Sequence, residues 1–234
     1  MPAPAIHGNS AGCHARPRQQ DYSWMSLAQW QQQHRQQCLQ LTQQSADLLW
    51  LGDSITAGWP AASLDSALVP WSSLNLAIGG DHTGNLLWRW QHQPLQARQP
   101  RLMVLMAGIN NLLGLEESAA QTHAGIRCLL QAMQQRYPHS AILLQALLPS
   151  GETPDLALRA QITELNRQLA RLAAEHDCHF RDDGALFIEP DGTTNPALMA
   201  DFLHPTLAGY ARWQGPLLQQ VRALLAADSK ATKI

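Results

Sequence analysis

The chain has 234 residues, of which 45% are hydrophobic and 15% are charged, and its formal net charge is −2. This length and apolar content are typical of one domain with a substantial core. The sequence has no basic stripe and no apolar run near about 18 residues, so we expect neither a nucleic-acid partner nor a transmembrane segment.

The two ends of the chain differ in composition from the rest. Residues 1–20 are rich in Pro, Gly, His and Arg and predict a flexible N-terminal tail; residues 21–228 form the predicted domain, and residues 229–234 a C-terminal tail. The N-terminus lacks the apolar stretch of a signal peptide, which favours a cytoplasmic location. An exported form whose leader has been removed stays an open alternative.

The four cysteines are far apart in the sequence. Cys13, Cys38, Cys128 and Cys178 show no paired spacing, so we expect four free thiols, with no disulfide framework and no zinc site.

Apolar patterning predicts the elements in chain order. A Gln-rich stretch from Ser26 to Gln44 indicates a surface helix. Nearly continuous apolar runs, which are typical of parallel strands buried on both faces, follow at residues 47–52, 74–79, 101–108, 141–149 and 178–183. Helical patterns cover roughly residues 83–92, 117–136, 156–174 and 206–226. This alternation predicts an α/β fold, a flavodoxin-like three-layer αβα sandwich with a central parallel sheet of about five strands.

Polar residues follow the predicted strands. Right-handed crossovers bring the carboxyl ends of parallel strands to one edge of the sheet, where such folds bind ligands. "GDS" with Ser54 ends the first strand, "GGDHTG" the second and "AGINN" the third, and "DFLHPT" precedes the last helix. This edge therefore collects a hydroxyl, a glycine turn, an amide and an Asp/His pair, which are the parts needed for acyl transfer.

Each part also has a purely structural interpretation. Gly-Asp-Ser is a common turn, and a Gly-Gly pair often makes a tight turn. Asp53 is expected to bond N–H groups of its turn, Asp81 to cap the next helix or to shape the site, and Asn110 to cap a helix or tolerate positive φ. Only the combination at successive strand ends favours catalysis.

The combination resembles the SGNH (GDSL-type) hydrolase family, named for a Ser, a Gly, an Asn and a His in separate blocks. The matching residues are Ser54 in "GDSI", Gly80 in "IGGD", Asn110 in "GINN" and His204 in "DFLH". Within that family, "WMSL", "NLAIGGDHTGNLLWRW", "LLPSGE" and "DFLHPTLAGYA" are similar to segments of the catalytic subunits of intracellular brain-type platelet-activating-factor acetylhydrolase. The similarity runs from about Asp21 to Ala226, although the final block is less glycine-rich than in those subunits.

The chemistry of these residue types suggests their roles. His204 is the expected base for Ser54, and Asp201, three residues earlier, orients the imidazole. The resemblance implies that the oxyanion is bound by the N–H groups of Ser54 and Gly80 and by the amide of Asn110. It implies ester hydrolysis through an acyl-enzyme without a metal or organic cofactor.

The substrate is less well defined by the sequence. A small acyl ester, lipid or acetylated sugar, is expected, with Ile55 and Leu203 as candidate walls of the acyl pocket because they adjoin Ser54 and His204. The resemblance also suggests a homodimer.

Three alternative functions stay open. An acyltransferase or an acetyl-carbohydrate esterase would use the same triad, and a non-catalytic binding module could retain the fold. Eight tryptophans could favour a sugar-binding cleft, but Trp24, Trp50 and Trp88 are expected in the core.

Overall fold

A five-stranded parallel sheet forms the centre of the molecule in the computed structural model, which describes residues 13–231. The sheet has the strand order β2-β1-β3-β4-β5. Its strands are β1 (Leu48–Gly52), β2 (Ser73–Asn75), β3 (Leu102–Met106), β4 (Ala141–Gln145) and β5 (His179–Arg181). All neighbouring strands pair in parallel, so their carboxyl ends lie at one edge.

Helices cover both faces of this sheet. They are α1 (Leu27–Gln43), α2 (Ser54–Ala57), α3 (Ala61–Leu68), α4 (Thr83–His92), α5 (Ile109–Gly114), α6 (Ala119–Arg136), α7 (Ala157–Glu175) and α8 (Leu207–Ala231). The chain steps from β1 to β2 in one direction and from β2 to β5 in the other. Right-handed crossovers then put α3 on one face and α4, α6 and α7 on the other. The helix contacts agree, since α6 packs between α4 and α7, whereas α3 packs against α8.

The core sits between these layers. Every residue of β1 and β3 is buried, as expected for parallel strands covered on both faces. The predicted αβα sandwich is confirmed, although β2 and β5 are shorter than the apolar runs that predicted them. Among the helices of residues 13–231, none has both the length and the apolar character needed to cross a membrane.

The ends of the described chain differ from the predicted tails. Residues 13–25, which we call the N-terminal segment, pack against the sheet edge: Arg16 N–H donates to Gly84 O (3.1 Å), and Arg18 is only 4% exposed. The predicted flexible tail is therefore wrong for residues 13–20, while residues 1–12 lie outside the described residues. At the other end α8 continues to Ala231, three residues into the predicted C-terminal tail.

A disulfide bond corrects the prediction of four free thiols. Cys13 of the N-terminal segment is bonded to Cys128 of α6, with a Cα–Cα distance of 5.8 Å. The two residues are 115 positions apart, so only the return of the N-terminal segment to α6 brings them together. Cys38 and Cys178 are free and half-buried, and burial raises the pKa of the Cys178 thiol to about 11.

The turn from β1 to α2 places Ser54 at the sheet edge. Asp53 caps α2 by accepting a hydrogen bond from Ile55 N–H at 3.0 Å, which confirms the bond expected of it. The carboxyl group is buried and its Oδ2 has no hydrogen-bond partner among the described residues. Burial raises the pKa of Asp53 to about 7, and the charge of Asp81 adds to this effect.

The disulfide predicts the number of reactive thiols. In denaturant without reductant we expect two of the four cysteines to react with a thiol reagent, and all four after reduction, because only Cys38 and Cys178 are free. A Cys13→Ser variant should show three without reduction, since Cys128 loses its partner. If all four thiols of the wild-type chain react in denaturant without reductant, the disulfide assignment is wrong.

The raised pKa of Asp53 predicts a pH-dependent stability. The unfolded chain releases this proton near pH 4 and the native chain near pH 7, so the native state binds more protons between these values. Stability therefore falls as the pH rises through this window. We expect the melting temperature of Asp53→Asn, which keeps the Oδ1 acceptor, to rise relative to the native protein between pH 4.5 and 7.5. A constant difference in melting temperature across this range would refute the assignment.

Candidate functional site

Three side chains form a hydrogen-bonded chain at the carboxyl edge of the sheet. Ser54 Oγ lies 2.8 Å from His204 Nε2, and His204 Nδ1 lies 2.7 Å from Asp201 Oδ2. Ser54 starts α2 directly after β1, while Asp201 and His204 precede α8. If Nδ1–H donates to the carboxylate, Nε2 is left as an acceptor for the serine hydroxyl.

A tight turn fixes the Asp201 carboxylate. Its Oδ1 accepts the backbone N–H groups of Leu203 (3.0 Å) and His204 (2.7 Å), which leaves Oδ2 for the imidazole. Burial favours the neutral acid, but the hydrogen bonds from His204 and Leu203 outweigh it and hold the pKa of Asp201 below its ordinary value. Phe202 makes this turn with a φ of +57°, a left-handed conformation that is uncommon for a non-glycine residue.

The Gly79–Gly80 turn borders Ser54. A Cβ placed on Gly79 would lie 3.6 Å from Ser54 Cβ. Gly80 has a φ of +75°, and a Cβ there would lie 2.8 Å from Tyr22 and Trp24 and 3.0 Å from Arg18 Nη2. Glycine is therefore required at position 80 by its own backbone angle and by the N-terminal segment packed on it. Within residues 13–231 neither the Ser54 nor the Gly80 N–H donates to another protein group.

Asn110 lies in the first turn of α5, just after β3. Its Nδ2 donates to the backbone oxygen of Asp81 at 3.0 Å, which ties it to the Gly79–Gly80 turn. The neighbouring Asn111 is fully buried, and its side chain bonds Thr83 and Glu117. Only Asn110 of the two faces the open space at the sheet edge.

Asp81 does not cap α4, which was one of its two expected roles. The cap of α4 is His82, whose Nδ1 accepts the N–H of Gly84 at 3.1 Å. Burial lowers the pKa of His82 to about 4, so the ring stays neutral and can accept. The Asp81 carboxylate instead receives Arg89 Nε and Trp30 Nε1, each at 2.7 Å.

The two candidate acyl-pocket residues lie in different surroundings. Ile55 is 1% exposed and belongs to the hydrophobic core, and its carbonyl accepts the Tyr210 hydroxyl at 2.6 Å. Leu203 is half-buried against that core, one residue before His204. Of the two residues next to Ser54 and His204 in the chain, only Leu203 therefore keeps an accessible side chain.

A cavity of about 390 Å³ adjoins this edge and reveals residues that sequence reasoning missed. Gly80, Asn110 and His82 line one side, and the N-terminal segment lines the other with Tyr22 and Trp24. Trp24 is 58% exposed, so its predicted core position is wrong, whereas Trp50 is fully buried. The motif "WMSL" marked this region, but nothing in it showed that the indole would border the Gly79–Gly80 turn.

The arrangement contains the elements of acyl transfer. The Ser54 hydroxyl is hydrogen-bonded to the His204 imidazole, the Asp201 carboxylate orients the ring, and backbone N–H groups without a protein partner lie beside the hydroxyl. Among residues 13–231 no group of three or more His, Cys, Asp or Glu side chains is placed to hold a metal ion.

Comparison with known proteins agrees with this chemistry. The model of the GDSL-like Lipase/Acylhydrolase family matches residues 50–212. The chain is 32% identical to platelet-activating factor acetylhydrolase IB subunit alpha2 of Homo sapiens over 198 residues, covering 84% of this chain and 85% of that protein. It is 30% identical to the human alpha1 subunit over 209 residues, covering 88% and 84% of the two chains.

Solved structures share the fold at lower sequence identity. A GDSL-like lipase from Bacteroides thetaiotaomicron superposes with a TM-score of 0.68 at 19% identity, covering 83% of this chain and 98% of that chain. An acetylxylan esterase from Geobacillus stearothermophilus gives 0.60 at 23% identity, covering 76% and 93%. From the family match and the acetylhydrolase relatives together, we conclude that the chain belongs to the GDSL-like lipase/acylhydrolase family and is an ester hydrolase.

Proposed function

We propose that this protein is a serine esterase that hydrolyses short-chain acyl esters, with acetyl as its preferred acyl group. The observation that carries the proposal is the continuous chain from Ser54 Oγ through His204 to Asp201, with links of 2.8 and 2.7 Å. The name of the acetylhydrolase relatives, at about 30% identity, supports an acetyl ester.

The first half-reaction forms an acyl-enzyme. Ser54 Oγ adds to the ester carbonyl while its proton passes to His204 Nε2. Asp201, held ionised by its hydrogen bonds, fixes the tautomer and stabilises the imidazolium. The tetrahedral intermediate collapses, the bond to the leaving alcohol breaks, and His204 gives that oxygen its proton. Water then attacks the acyl-enzyme by the same route and releases the acid and Ser54.

The developing oxyanion requires hydrogen-bond donors. The N–H groups of Ser54 and Gly80 have no other protein partner among the described residues, and Ser54 N–H lies at the start of a helix. The Asn110 amide uses one hydrogen for Asp81 O and keeps a second for the substrate. We assign these three groups to the oxyanion hole. Leu203, half-buried beside His204, is assigned to the wall of the acyl pocket; Ile55 follows the nucleophile in the chain but is 1% exposed and offers the acyl group no surface.

An acetylated carbohydrate is a second candidate substrate. Trp24 is exposed beside the Gly79–Gly80 turn, and the adjoining cavity is lined by Gln19, Gln20 and Asn85 without any acidic side chain. An aromatic face with amide groups suits a neutral sugar, whereas a quaternary ammonium lipid would find the half-buried cation Arg16 and no carboxylate in this lining. Acetate release from an acetylated xylooligosaccharide and from a choline phospholipid acetyl ester separates these classes. The homodimer and cytoplasmic location expected from the sequence stay predictions.

Ser54 and the acyl preference can be tested together. With p-nitrophenyl esters of increasing chain length, we expect kcat/KM to be highest for acetate and Ser54→Ala to reduce kcat by at least about 10⁴-fold. A fluorophosphonate probe should label native Ser54 and leave Ser54→Ala unlabelled. A wild-type kcat in Ser54→Ala would refute the proposed mechanism. A preference for esters with long acyl chains would refute only the assignment of acetyl as the preferred acyl group.

Asn110 provides a test of the oxyanion hole. Asn110→Ala should lower kcat by about 10²–10³-fold, the usual cost of losing one such donor. Asn111→Ala is unsuitable as a control because Asn111 is fully buried; Gln121→Ala, on the exposed start of α6, should keep native kcat. An unchanged kcat in Asn110→Ala would exclude that residue from the oxyanion hole.

A further inference from the structure

Arg18 reaches from the N-terminal segment into the site. Its side chain is 2% exposed, and its Nη2 donates to the backbone oxygen of Gly79 at 2.6 Å. The same nitrogen lies 3.4 Å from Asp81 Oδ1. A buried guanidinium therefore binds a carbonyl of the turn that borders Ser54.

That carbonyl belongs to a particular peptide group. Gly79 O and Gly80 N–H are the two ends of one planar, resonance-stabilised unit. A charge-assisted hydrogen bond to the oxygen fixes the plane of the unit and draws electron density from its nitrogen. This makes Gly80 N–H a stronger donor, and it holds the N–H direction fixed.

The contacts of Arg18 keep it in one position. Its guanidinium stacks on the ring of Tyr22 at 4.4 Å and lies 5.8 Å from that of Trp30. Asp81, which pairs with it, is itself held by Arg89 and Trp30. The segment is attached on the other side through the Cys13–Cys128 disulfide and the Arg16 N–H bond to Gly84.

Asp81 connects this contact with a second donor. Its carboxylate pairs with Arg18, and its backbone oxygen accepts Asn110 Nδ2. The orientation of the Gly80 N–H and of the Asn110 amide thus depends on the same residue. Loss of the Arg18 cation would disturb the Gly80 donor while leaving the Asn110 bond to the backbone in place.

We propose that Arg18 is a positioning residue of the oxyanion hole, acting through the Gly79–Gly80 peptide group. The inference rests on the proposed function, because it requires Gly80 N–H to bind the oxyanion. Arg18 touches neither the acyl group nor Ser54 in this role. It orients and polarises a backbone donor, so its effect develops with the charge on the oxyanion.

The experiment compares Arg18→Met with native enzyme on p-nitrophenyl acetate. We expect kcat and kcat/KM to fall together by about 10- to 100-fold, the range for losing a charged hydrogen bond, with KM within about threefold of native. Arg18→Lys, which keeps the cation, should recover part of the loss. Added guanidinium should partly restore Arg18→Ala, because it can fill the vacated space.

Arg136 offers a matched control at the opposite edge of the sheet. Its guanidinium also binds backbone carbonyls, those of Trp90 and Gln93, and stacks on the Trp90 ring at 5.3 Å. Arg136→Met should lower the melting temperature and leave kcat unchanged. A merely structural role for Arg18 would give the same result as Arg136→Met.

The outcomes separate this inference from the proposed function. Any of three results would overturn the role of Arg18. They are a kcat of Arg18→Met within twofold of native, an effect of that substitution on KM alone, and no recovery of kcat in Arg18→Lys. If Arg18→Met does not fold, Arg18→Gln replaces it, with an expected loss of about tenfold since its amide is a neutral donor. Activity retained in Ser54→Ala would instead overturn the proposed function, whatever the Arg18 variants show.

Discussion

The order of the strands determines where the functional groups lie. Because the chain leaves β1 for β2 and then returns to pair β3 on its other side, the carboxyl ends of these three strands are neighbours. Such a reversal opens a crevice at the edge of a parallel sheet. Ser54 follows β1, Gly80 follows β2 and Asn110 follows β3, so each element contributes one group to this crevice. The chain then places His204 beside Ser54 from the loop before α8, 150 residues further on.

Asp81 and Asp201, which both lie at this edge, are in opposite surroundings. Asp81 is fully buried and carries a charge that would be costly without partners; Arg89, Arg18 and the Trp30 indole supply them. The Asp201 side chain is 58% exposed and the His204 imidazole is 41% exposed. Because water screens charges at such positions, Coulomb attraction between them alone contributes little to holding the pair together. The two backbone N–H groups that bind Asp201 Oδ1 set its orientation instead. One carboxylate organises the donors from inside the protein, and the other orients the imidazole at its surface.

The N-terminal segment completes the crevice. Its backbone bridges to Gly84, its Arg18 contacts Gly79, and its aromatic rings cover the face of Gly80 where a side chain would otherwise stand. The positive φ of Gly80 and this close packing act in the same direction, since both exclude a Cβ. The segment thus belongs to the architecture of the site, although it lies outside the strand-helix alternation.

The local pattern of apolar and polar residues in the sequence was sufficient to predict much of the fold of this protein. Continuous apolar runs predicted the parallel strands because both faces of such strands are buried. The strand ends pointed to the loops that carry Ser54, Gly80 and Asn110 and to the Asp201–His204 pair, and the family resemblance singled out Gly80 and Asn110 within those loops. What depended on tertiary structure was each contact between segments distant in the chain: Arg18 with Gly79, Cys13 with Cys128, and Asp81 with Trp30. Periodicity encodes which face of an element is buried, and it carries no information about which remote segment covers that face. For that reason the exposed Trp24 resembled a core residue, and the packed residues 13–20 resembled a free tail, until the fold had brought them to the edge of the sheet.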